Sequence, residues 1–251
     1  MIVVARMSES VVPSTRAGWD PSRTVHEVGS ATARLTATVS RLTPGELAVP
    51  TLLPGWTRGH LLTHVARNSD GLRNLLLAAR SGTPVRMYAS PATREADIAA
   101  GAARPADVIL ADVQASCERF VVDAGCMPAE AWQARIVLTN GGPDAIPMQG
   151  AEVAARRLRE VEIHHVDLDA GYTFADTPEG LLDHLLADTR TKLEAQGFEV
   201  AAGDQDRWIV GRAHARIPVT ASRPAMLAWL TGRSAGVGVS SVSTLPELPA
   251  I

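Results

Sequence analysis

Apolar residues recur at steps of three and four along much of the chain, which is the spacing of one helical face. The first such run starts at Pro21 and stops before Pro44 and Gly45, and its apolar positions are Val25, Val28, Ala31, Leu35, Val39 and Leu42. Pro and Gly together predict a helix end. A second helix is predicted from Thr57, whose side chain can cap it, to about Arg80. Its apolar stripe consists of Leu61, Leu62, Val65, Leu72, Leu75 and Leu76.

Two more helices are predicted before residue 170. The third runs from about Pro105 to Ala124 and the fourth from about Gln149 to Asp169. The segment between the second and third helices is expected to be a long connection with at most a short helix. The segment "VLTNGGPDAIPMQG" is expected to begin with a short strand and then form loops. Four helices in about 170 residues predict a four-helix bundle.

The pattern changes after "AGYTFADTPEG". Residues 178–196 have a helical pattern, "RWIVGR" and "ARIPVT" alternate like two strands around a turn, "RPAMLAWLTGR" is helical, and "AGVGVSSV" has the pattern of a strand. We therefore expect a mainly α protein with two domains, a bundle at residues 1–175 and a small α+β domain at residues 176–251. Residues 1 to about 21 are expected to form an irregular leader.

Composition narrows the range of functions. Of 251 residues, 46% are hydrophobic and 20% are charged, which permits a packed core, and the formal net charge of −3 gives no reason to expect a nucleic-acid or anionic-membrane partner. Cys117 and Cys126 form no CxxC pair and are expected to be reduced thiols. The chain shows neither a signal peptide nor an apolar run of membrane-spanning length, so we expect a cytoplasmic protein.

The segment "REVEIHHVDLD", Arg159 to Asp169, concentrates acidic and imidazole groups in the fourth helix. Glu160 and His164 are four residues apart, so both can reach one divalent ion from the same helical face. Glu162 and His165 are three apart and could pair on a neighbouring face. The alternative is a solvated helix side that carries an ion pair.

The second helix contributes a further imidazole, because His64 lies on or beside the apolar stripe that should face the bundle interior. A lone histidine there is usually a hydrogen-bonded core residue, and His60 with His64 could form a pair of its own. In bundles, however, metal sites are built from inward-pointing side chains on facing helices. His64 with Glu160 and His164 would supply the three protein ligands of a catalytic zinc that keeps one open position.

Two segments together, "LLPGWTRGHLLTHVARN" and "RLREVEIHHVDL", resemble the mycothiol-dependent maleylpyruvate isomerases of the wider DinB-like family of metal-binding bundles. "MYASPATREADIAAG" and "WLTGRSAGVGVSS" are also similar to that isomerase, so the resemblance covers nearly the whole chain after the leader. It implies a DinB-like bundle whose Zn²⁺ ligands are His64, Glu160 and His164, with glutamate in one place of a three-histidine set. His60 and His165 fall outside that set, and Asp167 could orient His164 or cap the helix end in solvent.

The resemblance also implies a reaction and a further residue. Mycothiol, held as a thiolate on Zn²⁺, would add reversibly to the C=C bond of maleylpyruvate, which could then rotate and eliminate to give fumarylpyruvate. In the resembled isomerase an arginine at the position of Arg233 points toward the active site, where its fork would suit a dicarboxylate; otherwise Arg233 would be a surface residue. A monomer is expected, which acts in aromatic degradation or in a biosynthetic pathway that uses the same chemistry. A mycothiol S-transferase for another electrophile and a non-catalytic metal-binding bundle are the alternatives.

Overall fold

The structure is a computed structural model that describes residues 20–139, 145–204 and 206–249, and the predicted leader lies almost entirely outside them. The first part consists of six α-helices, a five-residue 3-10 helix at Pro44–Ala48 and two strands. The helices are α1 (Pro21–Val39), α2 (Arg58–Ser81), α3 (Pro91–Ala102), α4 (Ala106–Gly125), α5 (Ala129–Gln133) and α6 (Ala151–Asp167). The strands β1 (Arg135–Thr139) and β2 (Ala145–Gln149) pair as an antiparallel hairpin.

The four long helices form the expected bundle. Helix α2 packs against α4 and α6, and α1 packs against α6 and α4. The sequence sets the starts of two of them, because the Asp20 side chain accepts a hydrogen bond from the Ser22 amide at α1 and Thr57 accepts one from the His60 amide at α2. The apolar stripe of α2 is at most 2% exposed, so the periodicity marked the buried face. The mainly α fold class is therefore confirmed.

The C-terminal part carries the small α+β unit. It consists of a 3-10 helix at Phe174–Asp176, α7 (Glu179–Glu194), β3 (Glu199–Ala202), β4 (Arg207–Arg212), β5 (Ala215–Thr220), α8 (Arg223–Leu230) and β6 (Ser240–Ser241). The strands form one antiparallel sheet in the order β3-β4-β5-β6. Helix α7 contacts both α8 and β3. The exact boundary of the two domains near residue 175 stays a prediction.

Several segments differ from the expectation. The long connection contains the twelve-residue helix α3, which Ser90 caps through its side chain and which Pro91 begins. The loop expected after β1 includes β2, which pairs with β1 in register from Arg135 opposite Gln149. Helix α5 and strand β3 were not predicted, since each is only four or five residues long. Strand β6 covers two residues of the longer segment that was expected to be extended.

Helix α3 lies very close to α2. A Cβ atom at Gly101 would lie 2.3 Å from Cγ2 of Thr63, so the contact between the two helices needs glycine at this position. The approach brings the first turns of α3 over the part of α2 that carries His64. None of the helices in the described part of the chain combines the length and the apolar character that crossing a bilayer requires.

Candidate metal centre

Three side chains from two helices converge on one point. Nε2 of His64 lies 3.0 Å from Nε2 of His164, and Oε2 of Glu160 lies 3.3 Å from each of these nitrogens. Within the described ranges, no other cluster of three His, Cys, Asp or Glu side chains brings ligand atoms together in this way. The structure thus brings together the three residues that the sequence singled out as ligands, while their role as ligands stays a prediction.

The local structure explains the convergence. Glu160 and His164 are one turn apart on α6 and therefore lie above one another on the same face. His64 is on the facing helix α2, where the apolar stripe buries it to 5% exposure, and its ring meets the edge of Trp56 with 5.4 Å between the ring centroids. His64 therefore lies on the buried stripe of α2 and still faces α6.

The fourth residue of the site is Asp167, which is fully buried. Its Oδ2 lies 2.8 Å from Nδ1 of His164, and its two oxygens accept hydrogen bonds of 2.8 Å from Nε and a terminal nitrogen of Arg233. A carboxylate at Nδ1 holds that nitrogen as the protonated one and leaves the Nε2 lone pair directed at the cluster. Of the two roles left open for Asp167, the structure shows the contact with His164.

The surroundings of Glu160 and His64 favour the protonation states that can bind a metal ion, an anionic carboxylate and a neutral imidazole. Burial would raise the pKa of Glu160, but hydrogen bonds and charge from His164 and His64 hold it well below its usual range, so it is anionic at neutral pH. Burial lowers the pKa of His64, which keeps the ring neutral. Burial also lowers the pKa of His164, yet Asp167 and Glu160 outweigh it and the net pKa is raised. A metal ion would have to displace that proton.

The donor set fits zinc. Two imidazole nitrogens and one carboxylate oxygen form one of the ligand sets typical of catalytic zinc, and bonds of about 2.0–2.1 Å in a tetrahedron put neighbouring donors about 3.3 Å apart. The separations of 3.0 to 3.3 Å have this size. Three acceptor atoms this close repel one another unless a proton or a cation lies among them, so the cluster is built to hold a positive charge.

The cluster opens into a cavity of about 820 Å³, a size that accommodates a small-molecule ligand. His64, Glu160 and His164 are all part of its wall. The rest of the wall is mostly apolar with four arginines, and its further residues include Trp56, Leu72, Met87, Tyr88, Arg94, Leu138, Ile146, Arg156, Arg159, Ile163 and Arg233. Arg233 thus lines the cavity, as the resemblance implied, although its fork donates to Asp167.

Arg94 is a cavity residue that the sequence analysis missed. A terminal nitrogen of its guanidinium lies 3.0 Å from Nδ1 of His64, and because arginine only donates, Nδ1 is the acceptor. A neutral His64 then carries its proton on Nε2, so binding of a metal through Nε2 requires Arg94 to give up this contact. The available signal was the Ser90-Pro91 start of α3, which places Arg94 in a first helical turn.

The remaining candidate residues lie elsewhere. His60 is in the capping box of α2, with Nδ1 2.8 Å from Oγ1 of Thr57. His165 is directed away from the cavity, with Nε2 2.9 Å from Oγ1 of Thr38. Cys117 is buried and accepts a hydrogen bond of 2.9 Å from Arg157, and Cys126 is exposed. Neither thiol lines the cavity.

The chain is similar to known proteins over most of its length. The family model described as the mycothiol maleylpyruvate isomerase N-terminal domain matches residues 28–169. Two solved structures, the mycothiol-dependent maleylpyruvate isomerase and a mutant of it with one histidine replaced by alanine, each superpose with a TM-score of 0.80 at 28% identity. Each match covers 93% of this chain and 98% of the other. No curated protein matches the chain significantly.

Proposed function

Because this chain belongs to the mycothiol maleylpyruvate isomerase family, through the N-terminal domain of that family, we propose that it converts maleylpyruvate to fumarylpyruvate with bound Zn²⁺ and mycothiol. The observation that carries the proposal is the triangle of His64, Glu160 and His164 on the wall of a cavity of about 820 Å³. A merely structural cluster would not need a cavity of ligand size beside it.

His64, Glu160 and His164 are the proposed zinc ligands. Zn²⁺ bound there would supply the positive charge that keeps the mycothiol sulfur deprotonated at neutral pH, the form that reversible addition to the substrate double bond requires. Glu160 provides one negative charge to the site, so that a divalent ion keeps a net positive charge toward an anionic sulfur. Asp167 holds His164 in the tautomer that ligation through Nε2 needs.

Arg233 is the proposed catalytic arginine. It lines the cavity from the C-terminal part of the chain, and its side chain is 16% exposed. Its contact with a substrate carboxylate or with the enolate oxygen stays a prediction. A second proposed role is supported by the contacts of its fork, which donates to Asp167 and would through it orient His164. Through this chain of contacts, the segment after α8 supports a proposed metal ligand on α6.

The experiment supplies zinc-loaded protein with maleylpyruvate, with and without mycothiol, and follows the loss of enol absorbance. Turnover only with the thiol is expected. Accumulation of a thiol conjugate without isomerisation would instead favour a mycothiol S-transferase, and bound zinc without either reaction would favour a non-catalytic bundle.

Two histidines on α2 offer a matched pair of variants. His64→Ala should lose zinc and activity, whereas His60→Ala, one turn earlier and engaged in the helix cap, should retain both. Metal content by mass spectrometry measures the first quantity and the absorbance assay the second. Full zinc occupancy in His64→Ala would contradict the ligand set.

A further inference from the structure

Four arginines line the cavity, and three of them are already engaged by the protein. Arg233 donates to Asp167, and Arg159 lies 2.8 Å from a carboxylate oxygen of Asp188. Arg94 contacts His64 and pairs with its neighbour Glu95. Arg233 and Arg94 therefore each direct at least two nitrogens at groups of the chain itself, and Arg159 directs one at Asp188.

Arg156 differs from the other three. Within the described residues it makes no hydrogen bond and no ion pair, although it is half-buried and part of the cavity wall. It lies on α6 one turn before Glu160, so it shares a helical face with Glu160 and His164. A ligand in the cavity would therefore not have to displace a described partner from its guanidinium.

The charges around the cavity show what Arg156 is suited to bind. Arg233 pairs with Asp167 and Arg94 with Glu95, whereas Arg159 shares Asp188 with Lys192. A divalent ion at the cluster is half neutralised by Glu160 and keeps one positive charge. The mycothiol sulfur proposed above would take up that charge, so the charge of Arg156, which no described side chain balances, is available to a carboxylate of the substrate.

We propose that Arg156 binds a carboxylate of the substrate and thereby selects dianionic substrates at this site. The inference rests on the proposed function for the identity of the substrate. A planar fork that donates two parallel hydrogen bonds to one carboxylate orients the molecule as well as attracting it. Arg156 lies on the same helix as two proposed ligands, so this contact holds the substrate at a fixed distance along α6 from the metal.

Kinetics and binding test this role. Arg156→Gln should raise KM for maleylpyruvate about tenfold or more while kcat stays within about twofold, because the contact is made equally in ground and transition state. Arg156→Lys should recover part of the loss. Arg80→Gln, at the exposed end of α2 and outside the cavity, is the control and should match the wild type. Zinc content and the circular dichroism spectrum should be unchanged in all three variants.

A second measurement separates this inference from the proposed function. Calorimetry with maleate and with its monoamide should show that the wild type prefers the dianion and that Arg156→Gln loses most of this preference. A wild type that binds maleate selectively but isomerises nothing would refute the proposed function and leave the role of Arg156 supported. An isomerase whose KM is unchanged in Arg156→Gln would refute the role of Arg156 and leave the function supported. A wild type with no preference for maleate would also refute the role of Arg156.

Discussion

Helix α6 carries a glutamate and a histidine on each of two faces, and the two pairs lie in different surroundings. Glu160 and His164 line the cavity and face His64, whereas Glu162 and His165 are turned into the protein beside α1. Two residues along a helix of 3.6 residues per turn separate the two glutamates by about 200°. The same residue types within six positions therefore enter two different environments.

The difference lies in the partners that the fold supplies. Glu162 is fully buried and accepts hydrogen bonds from Arg34 and from the hydroxyl of Tyr172 at 2.8 Å. The ring of His165 stacks on Tyr172, with 3.7 Å between centroids and an interplanar angle of 3°. Among the described residues, Glu160 forms hydrogen bonds or ion pairs only with the two histidines of the triangle, and no arginine or lysine lies within 4.0 Å of its carboxylate. A carboxylate without an arginine or lysine partner can bind a metal cation from solution.

The strongest way to sharpen this comparison is to neutralise each glutamate in turn. Glu160→Gln removes the one anionic donor of the triangle, so zinc should be lost and isomerase activity should fall by more than about 1,000-fold. Glu162→Gln should keep its zinc and, while folded, its activity. Metal analysis and the mycothiol-dependent assay on both proteins decide the point, and a similar loss of zinc in both variants would refute the assignment of the two faces.

In unfolding experiments, Glu162→Gln should be the more strongly affected of the two variants. Glu162→Gln leaves Arg34 and Tyr172 without their buried anion, so the free energy of unfolding should fall by about 3 kcal/mol. Urea denaturation measures this change in metal-free protein. Glu118→Gln on α4, where the glutamate is exposed and contacts only Gln114, should change it by less than about 0.5 kcal/mol.

A decrease of less than 1 kcal/mol in the free energy of unfolding of Glu162→Gln would contradict the structural role of Glu162 and His165. Metal-free Glu160→Gln gives the complementary result, because it removes a charge beside two histidines and leaves no arginine unpaired. Its free energy of unfolding should stay closer to that of the wild type than the value for Glu162→Gln.

The sequence predicted the cavity face of α6, with Glu160 and His164, better than the buried face, with Glu162 and His165. The spacing of Glu160 and His164 and the place of His64 in an apolar stripe made their convergence one of the alternatives, because helix geometry is regular, and the family resemblance favoured it. Pairing of Glu162 with His165 was one of the alternatives, but each instead contacts residues far from it in the chain, such as Arg34 and Thr38. Contacts between α1 and α6 depend on how the helices are rotated, which a single periodic pattern does not determine.

The same limit explains the cavity. Leu138 and Ile146 reach its wall from the β1–β2 hairpin, and Arg94 reaches it from α3. Both elements were expected to be mostly loop, since the strands have five residues and α3 has a weak apolar pattern. The four long helices could be predicted because each has four or more turns of periodic sequence. The elements that close the cavity are short, and tertiary packing decides their conformation.

Asp167 connects the two sides of the comparison, because it is as buried as Glu162 yet touches a proposed ligand. Asp167→Asn keeps the shape but removes the charge that His164 and Arg233 share, so zinc affinity should fall about tenfold. Competition with a chelator measures the affinity. Asp169→Asn, two residues later at a positive φ that asparagine tolerates, is the control. Equal zinc affinity in Asp167→Asn and wild type would show that Asp167 does not support the site.

The smallest expected effect concerns Tyr172, which contacts Glu162 on the buried face of α6, and is measured as the pH dependence of stability. Burial first, and then Glu162, raise the pKa of Tyr172 to about 12, whereas a tyrosine in the unfolded chain titrates near 10. Above pH 10 the unfolded state therefore loses a proton that the folded state keeps, so this contribution to stability is complete below pH 10 and declines as pH rises toward 12. Between pH 9 and pH 11 the wild type should lose about 1 kcal/mol more than Tyr172→Phe, measured by urea denaturation at each pH. Identical pH dependence in the two proteins would show that the hydroxyl of Tyr172 is not buried against Glu162 as the structure has it.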